Sequence, residues 1–90
     1  MSATLVVRHQ VNDYATWRPV YDSLENLRGR HGCTGARVLQ LADDGNDILV
    51  THDFPTAEQA AGFAGDPEIK AGMARAGVAG PPNIEIFTVG

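Results

Sequence analysis

The sequence predicts an α+β fold of the ferredoxin-like kind, a four-stranded antiparallel sheet with helices on one face. Three observations predict it. Strand-like and helix-like segments follow one another in the order β-α-β-β-α-β. The chain has 90 residues, enough for one core and one domain over residues 1–90. Its 43% hydrophobic and 20% charged residues belong to a globular chain rather than a disordered one.

Each element has its own justification. Thr4–Gln10 is β-branched and apolar and reads as the first strand. Val11-Asn12-Asp13 supplies a turn and a helix cap. Trp17, Val20, Tyr21, Leu24 and Leu27 then recur at spacings of three and four, the apolar stripe of a helix. Its other face carries Arg18, Asp22, Glu25 and Arg28. Pro19 is tolerable in a first turn but not later, which sets the regular helix to start near Thr16. Gly32 suits the left-handed position that ends helices. Ala36–Ala42 and Ile48–Phe54 read as two strands joined by a hairpin through Asp43-Asp44-Gly45-Asn46-Asp47. Those acids do not make an EF-hand calcium loop, because Ile48 and Phe54 would occupy its glycine and glutamate positions.

Thr56-Ala57-Glu58-Gln59 is a capping box opening a short Ala-rich helix, which Gly65 interrupts. Asp66-Pro67-Glu68 restarts it with a cap and a proline at the first helical position, and the second piece stops at Gly77. Gly80-Pro81-Pro82 reads as an extended spacer before a fourth strand, Asn83–Val89.

The strands are apolar on both faces. Leu5, Val7, His9, Val38, Ile48, Val50, His52, Phe54, Ile84 and Ile86 form the set expected under the helices. The other set still holds Val6, Leu39, Leu41, Leu49, Phe87 and Val89 beside Arg8, Arg37, Asp53 and Glu85. Side chains of this size are worth about 1.5–3 kcal/mol each when buried. Two helices cover one face, so a homodimer packed sheet to sheet is expected. Arg8 would then pair with an acid in the interface.

Charge narrows the partners. The formal charge is −4, and the five arginines before residue 41 form no basic stripe. Neither nucleic acid nor a membrane surface is an expected partner. The small cluster Arg28, Arg30, His31 lies where a helix should end and suits its C-terminal dipole. No apolar run can span a bilayer, the N-terminal residues lack the features of an export signal, and a single cysteine excludes an internal disulfide. The expected location is cytoplasmic.

The runs Asp13-Tyr14-Ala15-Thr16-Trp17-Arg18-Pro19-Val20-Tyr21-Asp22, Leu41-Ala42-Asp43-Asp44-Gly45-Asn46-Asp47 and Ala76-Gly77-Val78-Ala79-Gly80-Pro81-Pro82 resemble small bacterial dimeric α+β barrel proteins of the antibiotic biosynthesis monooxygenase-like superfamily, among them proteins called cyclases. The resemblance runs from about Leu5 to Val89. It implies a dimeric barrel with a pocket in each subunit between helices and sheet. Relatives of this kind include cofactor-independent quinone-forming monooxygenases, haem-degrading enzymes and polyketide cyclases. The chain departs from them in places: Phe54-Pro55 stands where the monooxygenases usually carry a tryptophan after the third strand, and Asp66-Pro67-Glu68 where they carry a histidine. Its one tryptophan, Trp17, lies on the first helix, away from the haem-degrading pattern.

No phosphate-binding glycine loop is present, and His31 and Cys33 lack the further ligands a metal would need. Cys33 could be activated by His31 or could simply be a small turn residue. The polar residues of the helix-facing set are His9 and His52. With Leu5–His9 opposite Ile48–His52 they sit roughly 14 Å apart, too far to share a metal. Each could act singly as a general base or could cap the edge of the core. Tyr21 joins them as a third proton handler, so the catalytic candidates are His9, His52 and Tyr21. Trp17, Phe54, Phe63, Ile69 and Met73 are the candidate pocket lining for a hydrophobic small molecule. No cofactor and no metal is expected. Two functions follow: an enzyme acting on an aromatic or polyketide-like compound by oxygenation or cyclisation, or a non-catalytic ligand-binding or stress-related dimer.

Overall fold

The computed structural model describes residues 2–90; Met1, where the domain and the export-signal reading begin, lies outside them. The order is β1 (Ala3–Val11), α1 (Tyr14–Ser23), α2 (Glu25–Arg30), β2 (Gly35–Leu41), β3 (Asp44–Phe54), α3 (Ala57–Ala64), α4 (Pro67–Ala76) and β4 (Val78–Thr88). The sheet is antiparallel with strand order β2-β3-β1-β4. This is the expected ferredoxin-like arrangement, with the helices on one face.

Register decides which side chains meet. Leu5 faces His52, Val7 faces Val50 and His9 faces Ile48 across β1 and β3. Leu5, His9, Ile48, Val50, His52 and Phe54 are all buried on the helix side. Ile84 and Ile86 belong to the same face but stay 43% and 38% exposed. They ride on β4, an edge strand that the helices do not reach over fully. Among the described residues no helix is long and apolar enough to cross a membrane.

Three boundaries differ from expectation. The first helix starts at Tyr14 rather than Thr16, because Asp13 caps it through the Ala15 N–H at 3.3 Å and Asn46 Oδ1 accepts the Tyr14 N–H at 2.9 Å. Pro19 therefore lies inside the helix, where it removes one main-chain bond. The helix then breaks at Leu24, whose side chain seats on α4: a Cβ at Gly72 would come within 2.8 Å of Leu24 Cδ1. A glycine is needed there for the two elements to touch. The hairpin is tighter than expected, with β3 already begun at Asp44.

A fourth difference bears on the site. Gly80-Pro81-Pro82 is no spacer but part of β4. Asn83 pairs with Arg8 and Ala79 with Gln10, so three residues of β4 oppose His9 alone. Two prolines without N–H groups fit such a bulge on an edge strand, and Gly80 takes the positive φ of 90°.

Arg8 does not wait for an interface partner: its guanidinium binds Asp47 of its own chain at 2.9 Å. The two side chains project from neighbouring strands on the outer face, which is why the ion pair closes within the chain. His31 Nε2 meets Asp66 Oδ2 at 2.7 Å, joining the end of α2 to the cap of α4. Cys33 instead donates to the Gly35 carbonyl at 3.2 Å, so these two residues do not form a nucleophile-base pair.

Candidate functional site

A cavity of about 370 Å³ lies between the sheet and the helices. Its floor is Leu5, Val7 and His9 of β1 with Val50 and His52 of β3, and it extends to the β4 bulge at Gly80 and Pro82. Trp17 and Tyr21 of α1 and Phe63 of α3 form one wall, with Ile69 and Met73 of α4 beside them. Its lining is overwhelmingly apolar, so each polar group in it stands in a medium where hydrogen bonds and charges act strongly.

The helical spacing of α1 builds the aromatic wall. Trp17 and Tyr21, one turn apart, stack with ring centroids 4.8 Å apart. His9 lies 5.8 Å from Trp17 at one end of this stack, and His52 lies 5.9 Å from Tyr21 at the other. Tyr21 Oη and His52 Nε2 are 2.9 Å apart, a hydrogen bond between residues that only the fold brings together. His52 also packs against Phe63 at 5.1 Å.

Burial sets the charge states. His52, 3% exposed, has its pKa lowered to about 4, chiefly by loss of solvent and secondarily by the nearby Arg28 cation. It is therefore neutral at physiological pH. Loss of solvent also lowers the pKa of His9, with the Asp47 carboxylate opposing, and raises that of the Tyr21 hydroxyl, with Arg28 opposing. The Tyr21–His52 contact thus joins two neutral groups, and the His52 tautomer sets which of them donates. Either the phenol donates to Nε2, or Nε2–H donates to the phenol oxygen. His52 Nδ1 and both nitrogens of His9 have no hydrogen-bond partner among the described residues. A buried polar atom left unpaired costs about 1–3 kcal/mol, which a ligand with matching groups would recover.

The candidates thus fall in different places. His9, His52, Tyr21, Trp17, Phe63, Ile69 and Met73 all line the cavity. Phe54 does not. It is 1% exposed and packs behind Phe63 at 5.5 Å, because the inward-facing end of β3 runs under α3 into the core. Two charged residues among the described ones also line it, and neither is a sequence candidate. Arg28, assigned to the solvated helix face, has its Cζ 4.2 Å from the Tyr21 ring centroid and lines the cavity. The seven-residue spacing from Tyr21 is two helical turns and hints at a shared face, but the break at Leu24 separates the two residues and packing makes the contact. Lys70 of α4 is the other, and nothing in its sequence context marked it.

No family model matches the chain, and no curated protein matches it. Solved structures do. SnoaB, a cofactor-independent oxygenase from Streptomyces nogalater, superposes with a TM-score of 0.79 at 16% identity, over 98% of this chain and 92% of that one. A Bordetella bronchiseptica protein provisionally described as an antibiotic biosynthesis monooxygenase gives 0.81 at 14% identity, over 98% and 96%. Rv0793 from Mycobacterium tuberculosis gives 0.75 at 13% identity, over 99% and 95%. The chain has the fold of the antibiotic-biosynthesis-monooxygenase-like proteins.

Proposed function

We propose that the protein is a cofactor-independent enzyme that binds a hydrophobic aromatic or polyketide-like compound in this cavity and oxygenates or cyclises it after removing a proton. The observation that carries this reading is the 2.9 Å Tyr21–His52 hydrogen bond inside an apolar enclosure. The structural likeness to a cofactor-independent oxygenase supports it.

His52 takes the proton. An imidazole with a pKa of about 4 is a weak base in the empty cavity, but that value describes an imidazolium formed alone. When the proton comes from a phenol or an activated methylene, the imidazolium forms beside the anion it creates. Their attraction in a low-dielectric site offsets much of the burial cost. Tyr21 holds the imidazole in register. The resulting phenolate or carbanion is electron-rich enough to reduce dioxygen, and a dihydroxyarene plus one dioxygen leaves as hydroxyquinone plus water. Without dioxygen, the same carbanion attacks an internal carbonyl and closes a ring. His9, unpaired at the far end of the stack, binds a second polar group of the ligand. We further propose that two copies pack through their outer sheet faces, where Leu39, Leu41, Phe87 and Val89 are exposed.

Oxygen uptake with a panel of dihydroxynaphthalenes and anthrones tests the reaction. Wild-type protein should turn over at least one of them. His52→Ala should lose about a hundredfold or more in kcat, as removal of a general base does, with binding retained. Tyr21→Phe should lose less. Saturable binding with no product from any member would leave a ligand-binding protein in place of an enzyme.

A further inference from the structure

We propose that the ligand of this cavity is an acid: an aromatic body carrying a carboxylate, which Arg28 of α2 receives and Lys70 of α4 assists. The inference rests on the reading of the cavity as the ligand site and names the class of ligand it selects.

The charge distribution points this way. The chain carries a formal −4, yet among the described residues no carboxylate lines the cavity, while two cations do. Two of the four arginines on the helices are engaged by acids: Arg18 with Asp22 at 3.0 Å and Arg30 with Glu68 at 3.7 Å. Arg28 has no carboxylate within 4 Å among the described residues. It is held instead by neutral groups. Nη1 donates to the Tyr21 carbonyl at 2.9 Å, and the guanidinium lies over the Tyr21 ring. These two contacts fix its position and leave the rest of its planar fork of donors free, the geometry that matches a carboxylate.

The site is therefore graded along its length. Trp17 stacks on Tyr21, and Arg28 lies over the same Tyr21 ring. A flat ligand lying along Trp17 and Tyr21 would bring an acidic substituent to Arg28. Lys70, exposed and without an ionic partner among the described residues, adds a second positive charge to the same cavity. The anion would also offset the Arg28 charge that acts on His52, so that recognition of the acid makes the base stronger.

Isothermal titration of the whole protein with 2-naphthoate and its neutral isostere 2-naphthamide, at neutral pH, tests this. The acid should bind about tenfold or more tighter than the amide. Arg28→Gln should remove that preference while leaving the amide unchanged, Arg28→Lys should keep part of it, and Lys70→Gln should reduce it with the fold undisturbed. Equal binding of acid and amide by the wild type, or equal weakening of both by Arg28→Gln, would overturn acid selection while the aromatic cavity stands. If neither probe binds, the cavity reading fails and this inference fails with it.

Discussion

A histidine buried in an apolar wall has a measurable signature. The imidazole of His52 has its pKa lowered to about 4 in the folded chain, against an ordinary 6.5 when unfolded. Between those values the unfolded chain binds the proton and the folded chain does not, so stability rises with pH. The His52 contribution is complete above pH 6.5 and is lost as the pH falls towards 4. The shift corresponds to about 3 kcal/mol. Urea titrations across this window should show the loss, His9 adding to it in the same direction. His52→Gln, which keeps a polar partner for Tyr21 but does not titrate, should flatten most of the slope. An unchanged slope in the variant would assign it elsewhere.

Sequence periodicity revealed which face His9, Tyr21 and His52 occupy, but not that Tyr21 and His52 touch. They are 31 residues apart, and their bond depends on how α1 crosses β3. Phe54 shows the converse limit: alternation placed it on the inner face correctly, yet depth within that face decides between core and cavity. Arg28 shows a third limit: a charged side chain on a helix is usually solvated, and only packing shows that Tyr21 captures it.

At the scale of elements, local signals were reliable wherever a cap or turn was spelled out. Thr56 caps α3 through the Gln59 N–H at 3.2 Å, and Asp66 caps α4 through the Glu68 N–H at 2.9 Å, both as their sequence patterns require. Gly77 ends α4 at φ 82°, and its carbonyl accepts the Asn12 N–H at 2.9 Å, binding the corner of α4 and β4 to the end of β1. A side chain there must adopt the left-handed region, which costs roughly 1–2 kcal/mol. Gly77→Ala should therefore lower Tm by several degrees, about 4–8 °C per kcal/mol in a domain of this size. No change in Tm would contradict the assigned backbone. What the sequence hid at this scale was context. The break at Leu24 answers to Gly72 on another helix, and the Pro81-Pro82 stretch became a strand because β1 offered it an edge.

At the scale of the whole molecule, the unfinished surface is the outer face of the sheet. Phe87 and Val89 are 54% and 58% exposed, and Leu39 and Leu41 share their face. A second copy is the simplest cover. Light scattering at micromolar concentration should report twice 9.6 kDa, and Phe87→Asp should shift the protein towards monomer. A wild-type monomer would leave that face without a partner of its own kind. The fold was legible because alternation and helical periodicity act along the chain; about assembly the sequence offers only an excess of apolar surface that one chain cannot hide.

Both the proposed reaction and the acid selection require the ligand to sit in the cavity between helices and sheet. The three histidines report on it directly, since His9 and His52 line the cavity while His31 is engaged by Asp66. Imidazole nitrogen NMR during titration with 2-naphthol should move the His9 and His52 signals together and leave His31 still. Saturable binding that moved only His31, or none of the three, would contradict it.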